Sequence, residues 1–174
     1  MKHIGDAIGG AVVIAAVSTL GDYLWANFLP HHRPIYGLTH GTLLFLAVGL
    51  YLGARAHKAA TGAAGGGLLG FLAAGSFYVL RPVLGYTAMF LMYIGVWVGL
   101  GLLNGRALQG SRAALGEVLV RSIVAAIASG VAFYAISGIW FPFHPHGWDY
   151  AVHFAAWTVA YFPGFAALLV ARQA

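Results

Sequence analysis

The sequence predicts an all-α, polytopic membrane protein: one six-helix transmembrane domain over residues 1–174, with both termini cytoplasmic. Three observations predict it. The chain is 61% hydrophobic and only 7% charged, with a mean hydropathy of +0.84, whereas soluble domains carry about 25% charged residues. It divides into six apolar runs of membrane length. Its lysines and arginines fall unequally on the two sides of those runs.

Crossing about 30 Å of hydrocarbon takes about 20 helical residues. Lipid offers no hydrogen-bond partners, so each span must be helical. The first run is Ile4–Leu29, closed by Pro30 and the polar HHRP. Its beginning, MKHIGDAIGGAVVIAAVSTLGD, has the basic start and apolar middle of a secretory signal. Asp6 interrupts that start, and apolar character resumes through YLWANFL, so a retained span is expected. The second run is Ile35–Ala54, ended by RAHK. The third is Thr61–Leu80, ended by Arg81 and Pro82. The fourth is Tyr86–Leu103, ended by Asn104, Gly105 and Arg106. The polar segment RALQGSRAALGE leads to the fifth run, Val118–Trp140, and the sixth is Tyr150–Val170.

Lys2, Arg55, Lys58, Arg106, Arg112, Arg121 and Arg172 fall on one side of these spans, and Arg33 and Arg81 on the other. Seven against two marks the first side as cytoplasmic. An even number of spans independently requires both termini to share a side. Arginine outnumbers lysine seven to two, and alanine and glycine abound. That bias suits a GC-rich prokaryotic genome and hence a cytoplasmic (inner) membrane.

The same composition excludes several functions. With no cysteine there is no disulfide frame, thiolate metal site or cysteine nucleophile. The net charge of +5 comes from residues scattered between apolar runs, which fits loops at a membrane face and not a groove for nucleic acid. GVWVGLGLLNG has the glycine spacing of a dinucleotide loop but lies inside an apolar span with no strand before it. Arg106, Arg112 and Arg121, opposed only by Glu117, suit anionic headgroups, and Glu117 can pair with Arg121 four residues on.

Glycines recur four apart at Gly5/Gly9, Gly37/Gly41, Gly49/Gly53, Gly66/Gly70, Gly95/Gly99 and Gly101/Gly105. Such spacing lays a flat strip along a helix face and lets backbones approach closely, within the bundle or against a second copy or another membrane protein. Pro163, inside the sixth run, removes a backbone hydrogen bond. With Gly164 beside it, it is expected to bend the helix and open a gap on the concave side.

Ionisable residues concentrate on the non-cytoplasmic side. FHPHGWDYAVH (residues 143–153) places three histidines and an aspartate in a chain with only four acidic residues. GDYLWANFLPHHRPIYGLTH lies on the same side. His31, His32, His144 and His146 fall in loops beside Trp140 and Trp148, where solvation and the aromatic belt account for them. Asp22, His40 and His153 fall within spans, where a polar side chain is costly and faces a bundle interior or a wet cavity. They form an interhelical hydrogen-bonded pair, or line the polar mouth of a lipid cavity, or bind a metal. For the last, Asp149 and His153 share a helix face and His40 could be a third ligand. Trp25 and Trp157 lie close by in sequence, Trp157 four residues after His153.

Three stretches carry a family resemblance: DYLWANFLPHHRPIYGLTHGTLLFLAVGLYLG, YIGVWVGLGLLNGRALQGSRAALGEVL and WTVAYFPGFAALLVARQA. With six spans and short loops, they resemble the Insig (insulin-induced gene) family and its prokaryotic relatives over about half of the chain. The resemblance implies a six-helix bundle around a lipid-facing central cavity. It implies oxysterol binding and sterol-sensing partners for eukaryotic members, and a glycerolipid such as diacylglycerol for prokaryotic ones. It implies no enzyme chemistry. By position only Asp22, Arg172 and Gln173 carry over.

The expectation is therefore a non-enzymatic membrane protein that binds a diacylglycerol- or sterol-like lipid and needs no other cofactor. The ligand residues would be Asp22, His40, Trp25, Asp149, His153 and Trp157. The alternative is a metal-dependent lipid hydrolase, or a haem-binding or transport protein, using Asp22, His40, Asp149 and His153.

Overall fold

The structure, a computed structural model, describes residues 2–28, 34–85, 87–110, 115–137 and 145–169. Leu29, His31, His32, Arg33, Arg112, Trp140, His144, Arg172 and Gln173 lie outside the described residues. Six α-helices account for nearly all of the rest: α1 (Lys2–Phe28), α2 (Pro34–Arg55), α3 (Ala59–Leu84), α4 (Thr87–Leu102), α5 (Leu115–Ser137) and α6 (Asp149–Leu169). Each, with α4 extended by the turn that follows it, is long and apolar enough to cross a membrane. Large apolar side chains such as Leu20, Leu68, Val120 and Val159 cover the outside of the bundle. That surface suits acyl chains, as expected of an integral membrane protein.

Two helices differ from the expected runs. α3 continues through Arg81 and Pro82 to Leu84. A charge and a proline near a span's end do not stop it, because Arg81 can reach the interface and neighbouring groups absorb the lost bond. The fourth span does not end at Asn104 but widens into a π-helical segment, Leu103–Leu108. The Gln109 amide N–H closes it on the Asn104 carbonyl at 2.9 Å. Asn104 is buried, and its side-chain amide donates to the Leu168 carbonyl at 3.4 Å. Lys58 Nζ donates to the Ala107 carbonyl at 2.8 Å. A polar residue that finds partners on α6 need not end its helix.

The helices form an antiparallel ring in chain order, closed by α6 against α1. The register of α1 on α6 can be followed from end to end. Gly10 faces Phe165, Ser18 Oγ lies 3.0 Å from the Tyr161 hydroxyl, and Asn27 Nδ2 donates to the Tyr150 hydroxyl at 2.8 Å. The start of α1 and the end of α6 therefore lie at one end of the bundle. The half at that end is the terminal half; the other is the far half.

The closest seam joins α2 and α3. A Cβ on Gly49 would lie 2.8 Å from Gly66 Cα, and one on Gly62 2.7 Å from Gly53 Cα. Side chains there would force the helices apart, so the glycines set the interaxial distance. Gly41 and Gly70 extend the same contact toward the far half. The glycine strips of these two helices are thus used within the molecule. Gly5 and Gly95, by contrast, have no neighbour within 4 Å of an added Cβ.

The terminal half is solid. Ala7, Ala11, Ile14, Val48, Leu52, Trp97, Leu100 and Phe165 are buried there in one cluster. Gly164 admits the Trp97 ring, which a Cβ would meet at 2.5 Å (Cζ3). Next to Pro163, this face of α6 is therefore packed against α4. The glycine lets an indole from α4 occupy the space. At this end Arg55 pairs with Asp6, and the Tyr51 hydroxyl donates to the Asp6 carbonyl at 2.6 Å. Arg121 and Glu117 form the expected pair on α5.

Candidate functional site

The far half is hollow. A cavity of about 360 Å³, open to the surface and not sealed, is lined by all six helices. Ligand pockets typically span about 300–1,000 Å³, so this one is at the small end. Small residues of the α2–α3 seam, Gly37, Gly41, Gly70, Ala73 and Ala74, line it on one side. Aromatic rings from the other helices enclose it.

One wall is a ladder of stacked rings. Tyr93 of α4 stacks on Phe133 of α5 with centroids 4.4 Å apart. Phe133 stacks on Trp157 of α6 at 5.4 Å, and Trp157 on Tyr161 at 5.5 Å. The hydroxyls at the two ends of the ladder are satisfied within the bundle. Tyr93 pairs with Ser129 Oγ at 3.2 Å, and Tyr161 with Ser18 Oγ at 3.0 Å. Burying them therefore carries no orphan-group penalty.

Asp22 of α1 meets this ladder. Its Oδ2 accepts from Trp157 Nε1 at 2.8 Å and lies 2.9 Å from His153 Nδ1. The indole N–H can only donate, so Oδ2 accepts it, and His153 donates to the same oxygen when its proton is on Nδ1. His153 and Trp157 stand one turn apart on α6, so both reach one oxygen. The His153 side chain is 6% exposed and that of Asp22 23%. The histidine is the buried support, and the carboxylate keeps a face on the cavity, which it lines.

Of the six residues expected at the site, four line the cavity: Asp22, Trp25, His40 and Trp157. His40 enters from α2 over Gly21, where a Cβ would lie 2.7 Å from its Nδ1. It also packs edge-on to Trp25 at 6.5 Å between centroids. His153 stands behind Asp22. Asp149 is placed apart: its Oδ2 accepts from the His146 amide at 2.9 Å, reaching back as the second residue of a capping box does at the start of α6. The carboxylate of Asp149 and the imidazole of His153 thus engage different partners despite sharing a helix face. Among the described residues no three His, Asp or Glu side chains gather as a metal site would require.

Sequence reasoning missed most of the cavity wall: Phe77 and Tyr78 of α3, Met89, Met92 and Tyr93 of α4, and Phe133 of α5. The spacing of Met89 and Tyr93, and of Trp157 and Tyr161, puts each pair on one helix face. Nothing in the chain says that these faces meet. No protein-family model, curated protein or solved structure matches the chain.

Proposed function

We propose that the protein is a non-enzymatic, lipid-binding membrane protein that holds one lipid in the far-half cavity. The observation that carries this reading is an apolar hollow with a carboxylate and an imidazole, Asp22 and His40, on its wall. An apolar body fills the space, and a headgroup hydroxyl donates to Asp22. A diacylglycerol- or sterol-like molecule, as the Insig resemblance implies, meets both needs. A cavity of this size takes one polycyclic body or the upper part of a glycerolipid, whose remaining chain lies in the bilayer.

Mass spectrometry of lipids retained on the purified protein tests this. The wild type should carry a stoichiometric neutral lipid, and Ala73→Phe, which fills the cavity, should lose it while keeping its melting temperature. Equal lipid content in the two proteins would overturn the reading.

The asymmetry of basic residues supports an orientation with both termini cytoplasmic, in a prokaryotic inner membrane. Because the chain lacks cysteine, single cysteines near either terminus can be tested with an impermeant thiol reagent. Labelling from outside intact cells would reverse the orientation.

A further inference from the structure

We propose that the cavity also takes amphiphilic cations: an apolar body carrying one ammonium group, with Asp22 as its counter-charge. The inference rests on the cavity being a ligand site and names a second ligand class for it, in competition with a neutral lipid.

The sign of the charge comes from the wall. Among the described residues Asp22 is the sole acidic one lining the cavity, and no lysine or arginine lines it. Both described bonds to this carboxylate fall on Oδ2. Among the described residues none donates to Oδ1. A carboxylate on the wall of an apolar space, with both of these bonds on one oxygen, is poorly compensated in a membrane. A neutral hydroxyl supplies one bond, assisted only by the charge of the carboxylate. An ammonium supplies a bond between two ionised groups and neutralises the carboxylate as well.

The rest of the wall favours the same class. Trp25, Phe77, Tyr78 and Trp157 bring rings around the space, and aromatic rings attract desolvated cations. The Arg81 guanidinium already lies 6.0 Å from the centroid of Phe77. His40, which also lines the cavity, can accept a hydrogen bond as a neutral imidazole. Anionic heads meet a like charge at Asp22 and are disfavoured.

Three ten-carbon probes separate the possibilities: decylammonium, decanol and decanoate, titrated calorimetrically into the protein in a non-ionic maltoside. At pH 8 an ordinary imidazole is neutral and the amine remains charged. Decylammonium should bind wild type about tenfold more tightly than decanol, with decanoate weakest. The preference should vanish in Asp22→Asn, and all binding in Ala73→Phe. Decanol binding as tightly as decylammonium overturns the cation inference and leaves the cavity reading standing. So does a preference that survives in Asp22→Asn. Failure of all three probes on wild type overturns both. Should Asp22→Asn not fold, the wild-type ranking and its loss in Ala73→Phe still decide.

Discussion

Trp157 and Asp22 are joined across α6 and α1 by a 2.8 Å hydrogen bond from the indole nitrogen to the carboxylate oxygen that also faces His153. The bond ties the aromatic ladder to an acidic group on the cavity wall, so packing and site chemistry depend on each other.

Removing the carboxylate strands donors in an apolar setting. Asp22→Ala should destabilise the protein by about 1–3 kcal/mol and abolish lipid retention. Asp22→Asn keeps an acceptor oxygen and should melt closer to wild type. Thermal melting in detergent with lipid analysis of the same samples checks both. Unchanged melting and lipid content in Asp22→Ala would count against a supporting role.

Trp157 has two duties that substitution separates. Trp157→Phe keeps a ring between Phe133 and Tyr161 but loses the indole N–H, at an expected cost of about 0.5–1.5 kcal/mol. Trp157→Ala loses both and should cost about 3–5 kcal/mol. Equal melting of the two variants would show that the stacking contributes nothing.

The α2–α3 seam tolerates no side chain at its closest points. Gly62→Val should destabilise by about 1–3 kcal/mol or more as the backbones separate. Gly95→Ala, with open space beside it, should be neutral or slightly stabilising because alanine favours the helix by about 1 kcal/mol. Equal effects at the two positions would mean that the close approach of α2 and α3 is unimportant.

Gly164→Ala tests the other close approach. An added methyl meets the Trp97 ring, and displacing that buried ring should cost about 1–3 kcal/mol and shift its fluorescence. An unaltered spectrum and melting curve would show that Trp97 can move aside freely.

The fold was almost fully legible because each span is set locally, by an apolar run of sufficient length. The errors came where a polar residue found a tertiary partner, as Asn104 did on α6, so its helix did not stop. Asp22, His40 and His153 stood out because ionisable groups in lipid need a reason. Whether each lines the cavity or supports a neighbour depended on packing: His153 stands behind Asp22, and Asp149 caps its own helix. The aromatic wall was hidden because its rings come from several helices, and nothing local says which of their faces meet. The glycine pairs were visible, but only the pairing of α2 with α3 distinguishes Gly49 and Gly66 from Gly95.

The solid terminal half closes the floor beneath the hollow. Among the described residues no passage therefore runs on through that half. Loading and release both take place through the far half, and a substitution that narrows it should slow the two alike.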